Sequence, residues 1–363
     1  MTEQVNLPQG IPPLNQYYYY LTAGCSLRCK HCWLAPDYQK DGTTGGHLDF
    51  ELFKLSIEEG IPLGLSTVKL TGGEPLLHPD FLPMLAHLKE KNISVTLETN
   101  GTLLTPEIAK FMKENSSVYF VSVSMDGAKA ETHDRFRGVR GAYEKSVAGI
   151  RMLVEQGFHP QIIMSLHEGN VAEIEDLVML AQAWEAGSVK FNLIQPSGRA
   201  EKMQKRGELL DIHRLVELGK WVEGDLQKRV SIQLYYSWSV VFQSIARLLK
   251  FGVSSCGIHR ILGVLADGSL AMCGMGVSVP ELTYGQLGVD RVLDVWRDNA
   301  VINQIRRDIP SKLEDPCGKC LFKWQCLGSC IADNYYQTKR LTAPFWFCKQ
   351  AYDEGLFPVS RLV

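Results

Sequence analysis

Between residues 17 and 228 a short β-branched or aromatic run gives way, six times, to a stretch with helical periodicity. Strand-like runs fall at 17–22, 67–71, 93–98, 118–124, 160–166 and 188–194. Helical stretches fall near 49–60, 80–91, 105–114, 143–156 and 171–185. Asp49, Thr105 and Asn170 stand where N-caps belong, and Pro106 suits a first helical position. Repeated strand–helix units pair as a parallel sheet with right-handed crossovers. Six units are too few to close an eight-stranded barrel. The expected fold class is therefore α/β, an open, partial (β/α)6 barrel of the TIM type, with its chemistry at the C-terminal ends of the strands.

Those ends are where the glycines and polar residues lie. After the first strand come Cys25, Cys29 and Cys32; after the second, Thr71 to Pro75, with Gly72, Gly73 and Glu74; after the third, Glu98 to Gly101. The fourth ends in Ser122 to Gly127 and is followed by His133 to Arg137. The fifth ends near Ser165 and His167, and the sixth in Gln195 to Arg199. Three thiolates on one loop leave a four-iron cluster one ligand short. An open coordination position is the mark of a catalytic rather than a structural metal site. The plain alternative is a structural zinc loop.

The chain has 363 residues, 45% hydrophobic and 21% charged, enough for one large domain and a smaller one. A net charge of -2 with interspersed signs points to neither nucleic acid nor an anionic membrane surface as the main partner. The first residues lack a signal-peptide pattern, and no apolar run is long enough to span a bilayer. Ten cysteines at metal-type spacings, without an export signal, imply a reducing, cytoplasmic setting.

Past the sixth strand, a helix is expected from about 207 to 228, then a short strand over 231–236 and a helix to about 250. The composition then shifts. Seven cysteines follow: Cys256, Cys273, Cys317, Cys320, Cys326, Cys330 and Cys348. Asp267-Gly268 reads as a tight hairpin turn. The expected domains are a lead-in over 1–16, the barrel over 17–235, a linker helix over 236–255 and a cysteine-rich domain over 256–363. Tyr17 to Tyr20 should place two rings into the barrel and two against its helices, since strand side chains alternate.

Cys25-x3-Cys29-x2-Cys32, with Gly72-Gly73-Glu74-Pro75 after the second strand, resembles the signature of the radical S-adenosylmethionine (SAM) superfamily. The resemblance implies a [4Fe-4S] cluster on Cys25, Cys29 and Cys32, its open iron chelated by SAM. It implies SAM contacts from Gly72, Gly73, Glu74, Thr99, Asn100, Ser122 and Ser124. Arg135 or Arg137 would pair with the SAM carboxylate, and His31 would pack beside the adenine. Glu74 is chemically suited to pair with an ammonium group. Gly268-x4-Cys273 and Cys317-x2-Cys320-x5-Cys326-x3-Cys330, then Cys348, resemble the SPASM extension of peptide-modifying members, with a zinc ribbon as the plain alternative. By that resemblance two auxiliary [4Fe-4S] clusters are expected, one on Cys317, Cys320, Cys326 and Cys348. The other has only Cys256, Cys273 and Cys330, so its fourth position falls to another residue, solvent or substrate. His259 is a nearby candidate.

The implied activity is reductive cleavage of SAM to a 5′-deoxyadenosyl radical that modifies a ribosomally made precursor peptide. Residues 1–16 are too few for a peptide-recognition domain, so a separate small leader-recognition protein of the PqqD type is expected. A flavodoxin or ferredoxin would supply electrons. Gly274 stands where sulfatase-maturing members place an Asp. Leu14 to Thr22 and His31 to Pro36 resemble the maturases of SynChlorMet cassettes and the spliceases. That implies excision of a tyramine unit to leave an α-keto-β-amino acid, with thioether or carbon–carbon crosslinking and epimerisation as alternatives. Tyr235, Tyr236 and His167 are candidates for a hydrogen donor or base. An iron–sulfur electron carrier without radical chemistry is the reading from another class.

Overall fold

A computed structural model of the chain describes residues 7–40, 45–253 and 256–363. Residues 1–6 of the expected lead-in and 254–255 of the expected linker lie outside the described residues. The expected strands form as β1 (Gln16–Tyr20), β2 (Thr67–Thr71), β3 (Ser94–Thr99), β4 (Val118–Ser124), β5 (Gln161–Leu166) and β6 (Ser188–Leu193). A seventh, β7 (Gln233–Tyr236), pairs parallel with β6. All run in sequence order in one parallel sheet. On the other side of β1 the C-terminal segment adds β8 (Ile261–Val264), parallel to β1, then β9 (Ser269–Ala271) and β10 (Thr283–Gln286), both antiparallel. The sheet is open, with β10 and β7 at its two edges.

The helices between the strands cover its outer face. Val68 and Leu70 of β2, Val95 and Leu97 of β3, and Val189 and Phe191 of β6 are fully buried. The alternate residues of the same strands therefore line the inner face. Tyr17 and Tyr19 are likewise fully buried. The Tyr19 ring lies 4.8 Å from Phe53 of helix α1 (Phe50–Gly60), and its hydroxyl hydrogen-bonds Ser56 at 2.6 Å. Tyr18 and Tyr20 face inward, the two-in, two-out division that alternation demands.

Asp49 caps α1 through the Glu51 and Leu52 amides, and Thr105 accepts from the Ile108 amide. Asn170 does not cap. Its amide donates to the Asp126 and Ser165 carbonyls and its Oδ1 accepts from the His167 amide, tying the ends of β4 and β5 together. The helix expected from 207 starts later, at Ile212 behind an Asp211 cap, and passes through a π turn at Val222–Leu226 before ending at Arg229. Residues 133–137, for which no helix was expected, belong to one, Ala130–Arg137. Asp267-Gly268 does make the turn between β8 and β9.

Candidate functional site

The cysteine loop begins where β1 stops, and the ends of other strands hold it in place. The Gly73 amide donates to the Thr22 carbonyl at 3.0 Å and the Glu74 amide to the Gly24 carbonyl at 3.0 Å. The approach is so close that a Cβ on Gly73 would stand 1.8 Å from the Gly24 carbonyl oxygen. The Asn100 amide reaches Ser26 at 3.1 Å and the Cys25 sulfur at 3.8 Å. From Ala130–Arg137, the Phe136 and Arg137 carbonyls accept from the Lys30 and Arg28 amides. From the loop after β6, the Arg199 amide donates to the Cys32 carbonyl. Cys25 and Cys29 are buried, and Cys32 is half-buried.

Glu74 is buried and its carboxylate is engaged. It accepts from the Thr99 hydroxyl at 2.6 Å, the Asn100 amide at 2.9 Å and the Leu76 amide at 3.3 Å. In this way it clamps the end of β2 to the end of β3, with Oε1 taking two of the three bonds and Oε2 one. Burial pushes its pKa up to about 7, against the pull of those hydrogen bonds.

The two arginines part company. Arg135 is exposed and lies 3.9 Å from Glu131. Arg137 is buried, its Nε 2.5 Å from Asp126 and its Nη1 3.5 Å from the Cys29 sulfur. Burial works against the Arg137 charge, but Asp126 and the Cys29 and Cys25 sulfurs more than offset it, so the guanidinium stays protonated. Asp126 went unnoticed in the sequence. Its signal was an acid at a strand's C-terminal end.

His31 packs flat on Phe136 at 4.7 Å, and His167 stacks on the same ring at 4.2 Å. Burial holds both imidazoles below their ordinary pKa, His167 at about 4. Ser122 stands in register beside Glu98, and Ser124 beside Ile163. Thr99, Asn100, Ser122, Ser124 and His31 thus gather at one end of the sheet with the cysteine loop.

Two further sets of cysteines assemble in the C-terminal segment. Cys317, Cys320, Cys326 and Cys348 line one small cavity with Ser239, Lys323 and apolar groups. Cys348 donates to Ser239 at 3.1 Å. Cys256, Cys273 and Cys330 form the other set, close enough to act on one another, and burial pushes each thiol's pKa up. Among the described residues no three His, Cys, Asp or Glu side chains converge closely enough to hold a single metal ion. Sulfurs spread around a space suit a cluster of several irons, and a cavity walled by four thiols and apolar groups suits an Fe–S centre.

His259 lies with Trp296, Tyr284 and Arg306 around a cavity that none of the three cysteines lines. The acid that does act on Cys330 is Asp333, buried, with its pKa raised to about 7 by burial. With its amide oriented to suit both neighbours, Gln195 donates to both Asp333 oxygens at 2.8 Å and accepts from the Trp346 indole at 3.2 Å. Gln195 stood among the polar residues at the strand ends, but Asp333 had no signal in the sequence, because only the fold brings positions 195 and 333 together. Gly274 has no room for a side chain: its Cβ would stand 2.3 Å from the Tyr20 ring and 2.6 Å from Trp33. Those two rings occupy the space an Asp would need.

The sequence comparisons agree with this architecture. A family model, that of the radical SAM superfamily, matches residues 19–181. The AdoMet-dependent heme synthase of Methanosarcina barkeri is 32% identical over 336 residues, 88% of this chain and 91% of that one. The chain belongs to the radical SAM superfamily. It is a radical SAM enzyme of the SPASM type, and the family works with a [4Fe-4S] cluster and SAM. The mycofactocin maturase MftC of Mycobacterium tuberculosis is 26% identical, over 94% of this chain and 84% of that one. Streptococcus suis SuiB bound to its precursor peptide SuiA shares the fold, with a TM-score of 0.70 over 93% of this chain and 76% of that one at 17% identity. Among the described residues no helix is long and apolar enough to cross a membrane.

Proposed function

We propose that this radical SAM enzyme modifies a ribosomally made precursor peptide in the interior of its open barrel. The observation that carries the reading is the cysteine loop itself: three thiols held by the ends of several strands, beside a polar inner face. When bound, the cluster and SAM supply a 5′-deoxyadenosyl radical there. Cys25, Cys29 and Cys32 would hold the cluster. Asn100, Ser122 and Ser124 line the space beside it where SAM would sit, Thr99 supports its edge through Glu74, and Arg137 offsets the thiolate charge. Gly72, Gly73 and Glu74 shape that space through their backbone. The four-cysteine cavity would take one auxiliary [4Fe-4S] cluster. The set at Cys256, Cys273 and Cys330 would take another, with Asp333 the nearest additional donor. A small leader-recognition protein and a flavodoxin or ferredoxin complete the system.

Tyramine excision is the specific reaction this reading favours, with crosslinking or epimerisation as the other outcomes of the same chemistry. A second reading is favoured by one observation: the heme synthase relative is more similar to this chain than the maturase, 32% against 26%. A porphyrin would then occupy the interior. The test is anaerobic reduction with SAM, followed by mass measurement of a co-expressed precursor peptide and of an iron porphyrin. Formation of 5′-deoxyadenosine with loss of a residue fragment from the peptide is expected. Loss of two hydrogens would mean crosslinking, and a change only in the porphyrin would favour the second reading. An intact cluster that yields no 5′-deoxyadenosine would sink both.

A further inference from the structure

The inner face of the barrel carries three charged side chains that the cysteine loop does not use. Lys69, Glu98 and Lys190 alternate with the fully buried Val68, Leu70, Leu97, Val189 and Phe191, which face the helices. The Lys69 ammonium lies 2.9 Å from Glu98 and 4.5 Å from the centre of the Tyr18 ring. Their side chains retain 25% and 40% exposure, on the strand face opposite the fully buried Val68, Leu70 and Leu97.

Lys190 is the odd member. Among the described residues it has no carboxylate within 4.0 Å, and its electrostatic neighbours are Glu98 and Lys69. Burial and Lys69 both oppose its charge, and Glu98, already paired, supports it only in part. Two ammoniums thus face one carboxylate, and a half-buried cation without a partner carries a desolvation cost. The surplus charge has a defined place. Lys190 stands in one row with Ser124, Ile163 and Tyr235. Glu98 lies two residues, one strand repeat, below Asn100, which reaches Cys25. On the opposite side Lys69 and Tyr18 act on Cys256. The interior charge therefore sits between the first cysteine loop and the three-cysteine set.

We propose that Lys190, flanked by Tyr235, receives a carboxylate of the substrate and so fixes its orientation in the barrel interior. The inference rests on the proposed function only in taking this interior as the substrate chamber. A lysine presents a compact charge on a flexible stem, suited to one carboxylate oxygen and tolerant of what lies behind it. The carboxylate has two possible sources with the same chemistry: the C-terminus or an acidic side chain of a peptide, or a propionate of a porphyrin. The inward position of Lys190 also explains why a lysine interrupts the apolar run Val189–Phe191.

The test compares the wild-type protein with Lys190→Met and Lys190→Arg. The probes are a precursor peptide and its form with the C-terminus and every acidic side chain amidated, and coproporphyrin III and its tetramethyl ester. Binding is measured by equilibrium titration and, separately, as KM. For the acid form of the true substrate, Lys190→Met should weaken binding about tenfold or more, as expected for loss of a charge-assisted contact. Lys190→Arg should restore most of it. Wild type should show the same loss when the carboxylate is amidated or esterified, and the probe that shows it identifies the source. Iron content and the far-ultraviolet spectrum separate misfolding from lost recognition. Equal binding of acid and blocked forms by wild type would overturn the inference, as would a Lys190→Met variant that binds the acid form normally. A Lys190→Met defect in the KM for SAM alone would also overturn it, by assigning the ammonium to the cofactor. Failure of wild type to form 5′-deoxyadenosine would count against the proposed function, while the titrations would still decide the role of Lys190.

Discussion

At the scale of single residues, the loop after β2 shows how a side chain's chemistry can be put to structural use. Glu74 has the right charge to meet an ammonium group, and its oxygens also hold Thr99, Asn100 and Leu76 in place. Glu74→Ala would leave the buried Thr99 hydroxyl and Asn100 amide unpaired, a penalty of about 1–3 kcal/mol for each such group. Thermal and denaturant unfolding of the apoprotein should show a loss of at least that size. Glu74→Gln, which can still accept one bond, should lose less. His133 gives a pH-dependent counterpart. Burial, and then Arg137, hold its pKa at about 3, and its Nδ1 accepts from the Asp126 amide. The unfolded chain protonates this histidine near pH 6.5. Between those values the unfolded state binds more protons, so this contribution is whole above about pH 6.5 and is lost as pH falls toward 3. Wild-type stability should therefore fall below pH 6.5 more steeply than that of His133→Gln, by up to about 1.4 kcal/mol per pH unit. Parallel slopes in denaturant titrations would contradict this.

At the scale of elements, the cysteine loop has almost no regular structure of its own beyond the two-residue pairing of Gly24–Cys25 with Asp37–Tyr38. Its shape is borrowed from the ends of the strands around it. Gly73 is the tightest of those contacts. Gly73→Ala would set a methyl against the Gly24 carbonyl and push the loop off the end of β2. The reconstituted variant should retain its fold by circular dichroism but lose about four irons per chain, measured with labile sulfide, and lose SAM cleavage with them. The helix Ala130–Arg137 escaped a reading by periodicity because its sequence is strongly polar. It buries Thr132, His133, Phe136 and Arg137, and the last is held by a carboxylate on another element. Tertiary pairing rather than an apolar stripe stabilises it.

At the scale of the whole molecule, the C-terminal segment is joined to the barrel through the sheet. β8 pairs with β1 residue by residue from Gln16 to Tyr19, so the strand that launches the cysteine loop is itself an interior strand only when β8 is present. Trp296 donates to the Pro12 carbonyl, and the Val292 amide to Glu59, adding further ties across the same boundary. The full chain should melt in one calorimetric transition. A chain ended after Ser237 leaves the edge of β1 unpaired and the Tyr20 and Trp33 rings without Gly274 against them. It should aggregate on refolding, as open strand edges do. Two separate transitions in the full chain would mean that the sheet is not the mechanical link it is taken to be.

The sequence by itself determined the parallel α/β alternation, the division of the tyrosine run and the gathering of polar residues at strand ends, because strand period and turn chemistry are local. It also marked the cysteine sets, because their spacing is written along the chain. The employment of Glu74, the ion pair of Arg137 with Asp126, the place of His259 at a cavity that none of the three cysteines lines, the approach of Asp333 to Cys330 and the surplus charge at Lys190 were decided only by tertiary structure. Each depends on which of two faces a residue presents and on what a distant segment brings to meet it. A hydrogen bond between positions 74 and 99, or a contact between 195 and 333, has no signature in either segment alone. The charge of an interior is likewise a sum over strands that are neighbours only after folding.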